Sequence, residues 1–311
     1  MGTAAAAPSL GEMSGASIET DGLSKLYPGG HGIAEVTMSV AAGEVFGFLG
    51  PNGAGKTTTI RTLLDLIHPT GGAARILGLD SRRDSVAIRA RIGNLPGDFG
   101  FGRDTTGRDA LALLARLHRA PTARADELAE RFRADLGRPL GELSRGNRQK
   151  VGLILATFHR PELLILDEPT GGLDPLMQEK FLALVGEERE RGATVFLSSH
   201  ELDEVERICD RVGMVRDGRL IAVERVPDLL GRARRKVTVR LADTAGVEDL
   251  GRLSGVSDLA RTDGEVSFRF AGDVDPVLKA LAANHVTDLE VSRPTLEEVF
   301  LSYYEGGEEA G

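Results

Sequence analysis

The chain has 311 residues, which is enough for about two domains, and an ordinary globular make-up: 41% hydrophobic and 27% charged. Its net charge of −9 argues against a protein that binds nucleic acid through its phosphates, so no nucleic-acid partner is expected. A single cysteine, Cys209, excludes an internal disulfide, and no apolar run approaches the roughly 20 residues that span a bilayer.

Residues 1–17 form an Ala/Ser/Gly-rich tail, read as disordered, with no basic stretch and apolar core of a signal peptide. Ile18 to Met38 alternates apolar and polar residues around Pro28-Gly29-Gly30, as two strands joined by a turn would. Tyr27 beside that turn is either an adenine-stacking ring or an edge-strand aromatic packed on the sheet.

Gly50 to Thr58 reads Gly-Pro-Asn-Gly-Ala-Gly-Lys-Thr-Thr and fits the phosphate-loop pattern at every fixed position. A buried strand, Glu44 to Leu49, precedes it. A helix with Ile60, Leu63, Leu64 and Ile67 on one face follows. Gly50, Gly53 and Gly55 let the backbone approach an anion closely, and Pro51, Asn52 and Ala54 fill out the loop. Lys56 supplies charge to the outer phosphates. Thr57 is the candidate magnesium ligand, and Thr58 continues into the helix.

Ala73 to Asp80 reads as strand and turn, and Val86 to Ile92 as a short basic helix. Gly97 to Gly102 holds three glycines and reads as a joint. Thr106 can cap a helix through Leu111, Leu114 and Leu117, and a charged helix spans Arg124 to Leu136. Leu143 to Asn147 reads as a loop before a helix carrying Val151, Ile154, Leu155 and Phe158, which Pro161 ends.

Leu163-Leu164-Ile165-Leu166-Asp167-Glu168 suits a central parallel strand, whose carboxyl end lies where ligands bind. Asp167 is the candidate to hold magnesium. Glu168 is the candidate to orient or deprotonate the attacking water. Ala193 to Leu197 is another strand, and it delivers His200 to the same edge. Asp217-Gly218 signals a hairpin within Arg211 to Val223.

Leu229 to Arg235 reads as a basic linker. Beyond it, alternating Val237, Val239 and Leu241, then Val266, Phe268 and Phe270, a helix from Pro276 to Ala283 and a strand from Val286 to Val291 predict a small βαβ-type α/β domain. Thr295-Leu296-Glu297-Glu298 is a capping box for a last helix.

Together these pieces resemble the ATP-binding cassette (ABC) ATPase family over about residues 18–230. Leu143-Ser144-Arg145-Gly146-Asn147-Arg148-Gln149 is similar to its signature, Gly172-Leu173-Asp174-Pro175 to its D-loop, His200 to its switch histidine and Tyr27 to its adenine-stacking aromatic. The sequence departs from the pattern at Arg145 and Asn147. It departs again at Gly97, where the Q-loop glutamine would sit, and Asp98 is the candidate substitute.

The resemblance implies an α/β P-loop NTPase core with a mainly parallel sheet, an N-terminal antiparallel β part and a helical signature subdomain at about 98–160. It places the ATPase domain at 18–231, a small α/β domain at 232–304 and an acidic tail at 305–311. It further implies ATP and Mg2+ as cofactors and a homodimer in which Ser144, Arg145, Gly146, Asn147 and Asp174 act across to the partner's nucleotide. A separate transmembrane permease would hold the chain at the cytoplasmic face of the membrane. Within the family, the single cassette and its Leu296-to-Leu301 ending look like the ATPase subunit of a bacterial drug or antibiotic exporter. The alternatives are a soluble cassette ATPase acting on ribosomes or DNA, and a nucleotide-binding regulator with weak turnover.

Overall fold

A computed structural model describes residues 15–232, 234–242, 247–262, 265–292 and 295–305. The chain divides into two compact units, residues 1–225 and 226–311. Among the described residues no helix is long and apolar enough to cross a membrane.

In the first unit the chain runs β1 (Ala16–Leu26), β2 (Gly32–Ala41), β3 (Val45–Leu49), α1 (Lys56–Leu63), β4 (Gly71–Ile76), β5 (Leu79–Asp80), α2 (Ser85–Arg91) and β6 (Ile92–Leu95). The helical segment follows with α3 (Gly107–His118), α4 (Ala123–Phe132) and α5 (Arg145–Thr157). The chain then returns through β7 (Leu163–Asp167), α6 (Pro175–Glu190), β8 (Thr194–Ser199), α7 (Leu202–Ile208), β9 (Arg211–Arg216) and β10 (Arg219–Arg225).

Two sheets result. One is antiparallel, in the order β2-β1-β4-β5. The other runs β10-β9-β3-β8-β7-β6, and its strands from β9 to β6 are parallel. Strands β3, β7 and β8 are buried along their whole length. Their near-continuous aliphatic and aromatic runs are what a parallel sheet covered on both faces requires. Phe46 of β3 stacks on Phe196 of β8 with ring centroids 5.8 Å apart. Ile18, Val36, Phe48, Leu63 and Ile76 join the same core, which therefore binds the two sheets through α1. Burying each of these side chains contributes about 1.5–3 kcal/mol.

Several boundaries differ from the sequence reading. The helix after the phosphate loop stops at Leu63, because Asp65 turns into the left-handed region at φ 53° and Ile67 falls outside it. In the same way α4 ends at Phe132, where Arg133 takes φ 51°. Ile92–Leu95 is a four-residue strand that propensity does not announce; pairing with β7 makes it one. Arg145, Gly146 and Asn147 are not loop but the first turn of α5, because Ser144 caps the helix by accepting from the Asn147 N–H. The cap of α3 is as expected, a reciprocal Thr106–Asp109 box.

The second unit runs α8 (Val226–Arg232), β11 (Arg235–Leu241), β12 (Val256–Thr262), β13 (Glu265–Phe270), α9 (Asp275–Ala282), β14 (Val286–Ser292) and α10 (Leu296–Glu305). Helix α8 occupies most of the stretch read as a linker. The sheet order is β12-β13-β11-β14 with every neighbouring pair antiparallel. Strands β13 and β14 are thus parallel to each other and joined by α9, with β11 inserted between them: a split βαβ unit rather than a simple one. Val237, Val239, Val266, Phe268, Val277 and Leu281 form its core.

Candidate functional site: a phosphate loop facing two carboxylates

The order β3-β8-β7 explains the site. These strands are parallel neighbours, with Leu49 in register with Ser199 and Ser198 in register with Asp167. Their carboxyl ends emerge side by side, about 4.8 Å apart per strand. The phosphate loop leaves β3, Asp167 and Glu168 leave β7, and His200 leaves β8.

Steric demands inside the loop account for its glycines. A Cβ on Gly50 would lie 2.5 Å from the Val215 carbonyl oxygen. Gly55 has φ 107°, and a Cβ there would lie 2.7 Å from Ile33 Cγ2. The loop is tied to the β9–β10 turn, where the Gly218 N–H donates to the Ala54 carbonyl at 3.0 Å. Lys56 is only 6% exposed. Its Nζ donates to the Gly50 carbonyl at 2.6 Å and stands 3.2 Å from Glu168 Oε1.

Asp167 is 2% exposed. Its Oδ1 accepts from Ser198 Oγ at 2.6 Å and its Oδ2 from Thr57 Oγ1 at 2.8 Å. Glu168 then breaks from the strand at φ 50°, a strained angle for a side chain with a Cβ. Four hydrogen bonds hold the turn there. The Glu168 N–H donates to the Ser198 carbonyl and hydroxyl, and Gln149 Nε2 donates to the Glu168 carbonyl at 3.0 Å and to the Pro169 carbonyl at 2.9 Å. The Glu168 carboxylate consequently faces both Lys56 and His200, whose Nδ1 is 2.5 Å from Glu168 Oε2.

A cleft of about 300 Å³ lies over the loop. Tyr27, His31, Lys56, Thr57, Thr58 and Glu168 line it with Pro51, Asn52, Gly53 and Gly55. Tyr27 lies just past the end of β1, 41% exposed, with Lys25 Nζ 5.4 Å from its ring centroid.

The predicted signature and D-loop residues form a second surface and do not line that cleft. Ser144 caps α5. Gly146 packs so closely on the turn after Glu168 that a Cβ would lie 2.2 Å from the Gly172 carbonyl oxygen. The Arg145 side chain lies over Gly171 and Gly172. Asp174 caps α6, accepting from the Met177 N–H at 3.0 Å. Gly97 abuts Asp167, since a Cβ there would lie 3.1 Å from Oδ2, whereas Asp98 is exposed and outside the cleft lining.

Sequence reasoning passed over Ser198 and Gln149 as supports of the two acids. Ser198 carries a weak signal, a hydroxyl at the end of an apolar strand. Gln149 carries none beyond its place in the signature stretch.

The ABC transporter domain family matches residues 33–171. A bacitracin transport ATP-binding protein from Bacillus licheniformis is 33% identical, over 93% of this chain and 98% of its own length. A daunorubicin resistance ATP-binding protein from Streptomyces coeruleorubidus is 37% identical, over 93% of this chain and 96% of its own. Among solved structures, an ATP-binding subunit of an ABC transporter aligns at a TM-score of 0.63 and 31% identity, over 68% of this chain and 91% of that one. These relatives are similar over nearly their full length: the chain belongs to the ABC transporter ATP-binding family and is an ATPase.

Proposed function

We propose that this chain is the motor subunit of a bacterial exporter of a drug- or antibiotic-like small molecule, seated on a separate permease at the cytoplasmic face of the membrane. The observation that carries this reading is the match, through both units, to relatives named for bacitracin transport and daunorubicin resistance.

In this reading Lys56 and the loop N–H groups hold the phosphates of ATP, Tyr27 stacks on the adenine and Glu168 takes the proton of the attacking water while His200 orients it. Thr57 and Asp167 fit a magnesium ion. Their oxygens already meet at 2.8 Å, and a hydroxyl with a carboxylate is a hard-donor pair. Among the described residues no cluster of three or more His, Cys, Asp or Glu is placed to hold a metal, so phosphate and water oxygens would complete the shell. The ion would neutralise charge on the β- and γ-phosphates.

One chain carries both a phosphate loop and a signature surface, which supports a homodimer with each ATP between the two kinds of surface. Ser144, Arg145, Gly146, Asn147 and Asp174 then act on the partner's nucleotide. Permease docking falls to an apolar groove of about 540 Å³, lined among others by Ile92, Pro96, Phe99, Phe101, Leu117 and His159. Co-expression with a multi-span permease tests the reading. A detergent-stable complex is expected, lost on Leu117→Asp; failure of any membrane protein to co-purify from native membranes overturns it.

A further inference from the structure

Helix α7 follows His200 directly and buries a glutamate that the cleft does not use. Glu204 is 9% exposed. Its Oε2 accepts from the Thr170 hydroxyl at 2.8 Å, and its Oε1 is buried with no hydrogen-bond partner. Thr170, also buried, lies two residues beyond Glu168. The turn from 168 to 170 is therefore gripped from two sides, by Gln149 of α5 and by Glu204 of α7. We propose that Glu204 is a positioning residue for ATP hydrolysis, holding through Thr170 the turn that presents Glu168 to the nucleotide. The proposal rests on the reading of Glu168 as the base.

A carboxyl is a telling choice here. Thr170 needs only an acceptor, and an amide would give one without the penalty of a buried charge. Burial first, then the neighbouring Glu201 and Glu168, push the Glu204 carboxyl up to about 7, against the pull of the Thr170 hydrogen bond. The groups that face it are Glu168 and Thr170 from the turn after β7, Glu201 ahead of α7, Arg207 in the last turn of α7 and Cys209 just past its end. Arg207 is committed to Glu179 of α6 through two hydrogen bonds. Below neutrality Glu204 is an uncharged acid whose carbonyl oxygen accepts from Thr170, leaving Oε1 to carry the proton. Above it, Glu204 becomes a further negative charge beside Glu201 and Glu168 with no cation released to meet it. The turn is then pushed from its catalytic position.

Steady-state ATPase kinetics of the full chain with Mg2+, from pH 6 to 9, test this. Glu204→Ala and Thr170→Val should each lower kcat about tenfold with KM for ATP changed less than about twofold, and the double variant should fall no further. Glu204→Gln should restore most of what Glu204→Ala loses. Its kcat should stay level between pH 7 and 8.5, where the native rate falls by about threefold or more. A Glu204→Gln profile parallel to the native one, or losses confined to KM, overturns the proposal. If Glu204→Ala does not fold, Glu204→Gln and Thr170→Val decide. Glu168→Gln, run alongside, separates the two assignments. An inactive Glu168→Gln with a parallel Glu204→Gln profile removes the positioning role alone, whereas native turnover in Glu168→Gln removes the base and this proposal with it.

Discussion

Replacing Gln149 by leucine tests how the strained turn at Glu168 is held. Gln149 is 5% exposed, and its single Nε2 serves two carbonyls, those of Glu168 and Pro169. Leucine has nearly the same volume but no donor, so both carbonyls lose that partner. A buried polar group left unmade costs about 1–3 kcal/mol. Two of them, less what leucine regains by apolar packing, amount to about 3 kcal/mol. For a unit of this size that corresponds to a fall in Tm of about 6–12 °C. Activity should suffer more than stability alone explains, because Glu168 sits at φ 50° and relaxes once its carbonyl is released. A displacement near 1 Å costs up to about a hundredfold in rate. Calorimetry and ATPase kinetics on the same preparations give both numbers. Gln149→Glu should be worse than Gln149→Leu, since a carboxylate would then face two carbonyl oxygens. Native Tm and native kcat in Gln149→Leu would show that the Ser198 contacts hold the turn unaided, and the account of its strain would be wrong.

Glu168→Gln should retain ATP and lose turnover by about a hundredfold or more, with the ATP-bound protein running as a dimer in size-exclusion chromatography; a monomer under saturating ATP contradicts the shared-nucleotide arrangement. Gly146→Ala would press a methyl group to 2.2 Å from the Gly172 carbonyl, so α5 or the turn must move. Overpacking of this kind costs about 1–3 kcal/mol, read as a Tm drop of about 2–12 °C, and an unchanged Tm would mean that the two elements separate freely. His159 predicts a pH effect. Burial, then the charge of its stacked neighbour His118, lowers its imidazole to about 4. The fold thus favours the neutral ring. Its contribution is complete above about pH 6.5 and is lost as pH falls toward 4, about 2 kcal/mol after discounting for partial exposure. His159→Phe should lose less Tm than the native chain between pH 7.5 and 4.5; identical losses would dismiss His159 as the titrating group.

What could be read in the sequence was whatever a residue does by its own shape or by local spacing. The phosphate loop was legible because Gly50 and Gly55 stand where a Cβ cannot, and the run from Leu163 to Asp167 because a strand buried on both faces has no polar alternation. The register that sets Asp167 beside Ser198 was not read, since it exists only once β7 and β8 pair in parallel. Strand β6 was not legible: Gly93 and Asn94 are poor strand formers, and β7 alone makes them one. The insertion of β11 between β13 and β14 is invisible for a related reason, since order along the chain does not fix order in a sheet. The start of α5 was misread although its signal was present, a serine able to cap the N–H three residues on.

Those misread residues bear on how the two surfaces of the first unit communicate. Because α5 begins at Arg145, its 13 residues form one rod about 20 Å long. Its first turn presses Gly146 against Gly172, and its second sends Gln149 to the carbonyl of Glu168. Its last turn supplies Leu155 to the apolar groove, which His159 lines just beyond. A partner seated in that groove therefore bears on the same helix that fixes the proposed base, with no need to enter the nucleotide cleft. Gly97 adds a second link, since β6 lines the groove and the chain leaving it abuts Asp167. With glycine there, no side chain spans from the groove to Asp167 by that route, and the burden passes to α5. In this chain, then, disturbance of Gln149 should weaken the response of ATP turnover to the proposed permease more than substitutions at Gly97 or Asp98 do.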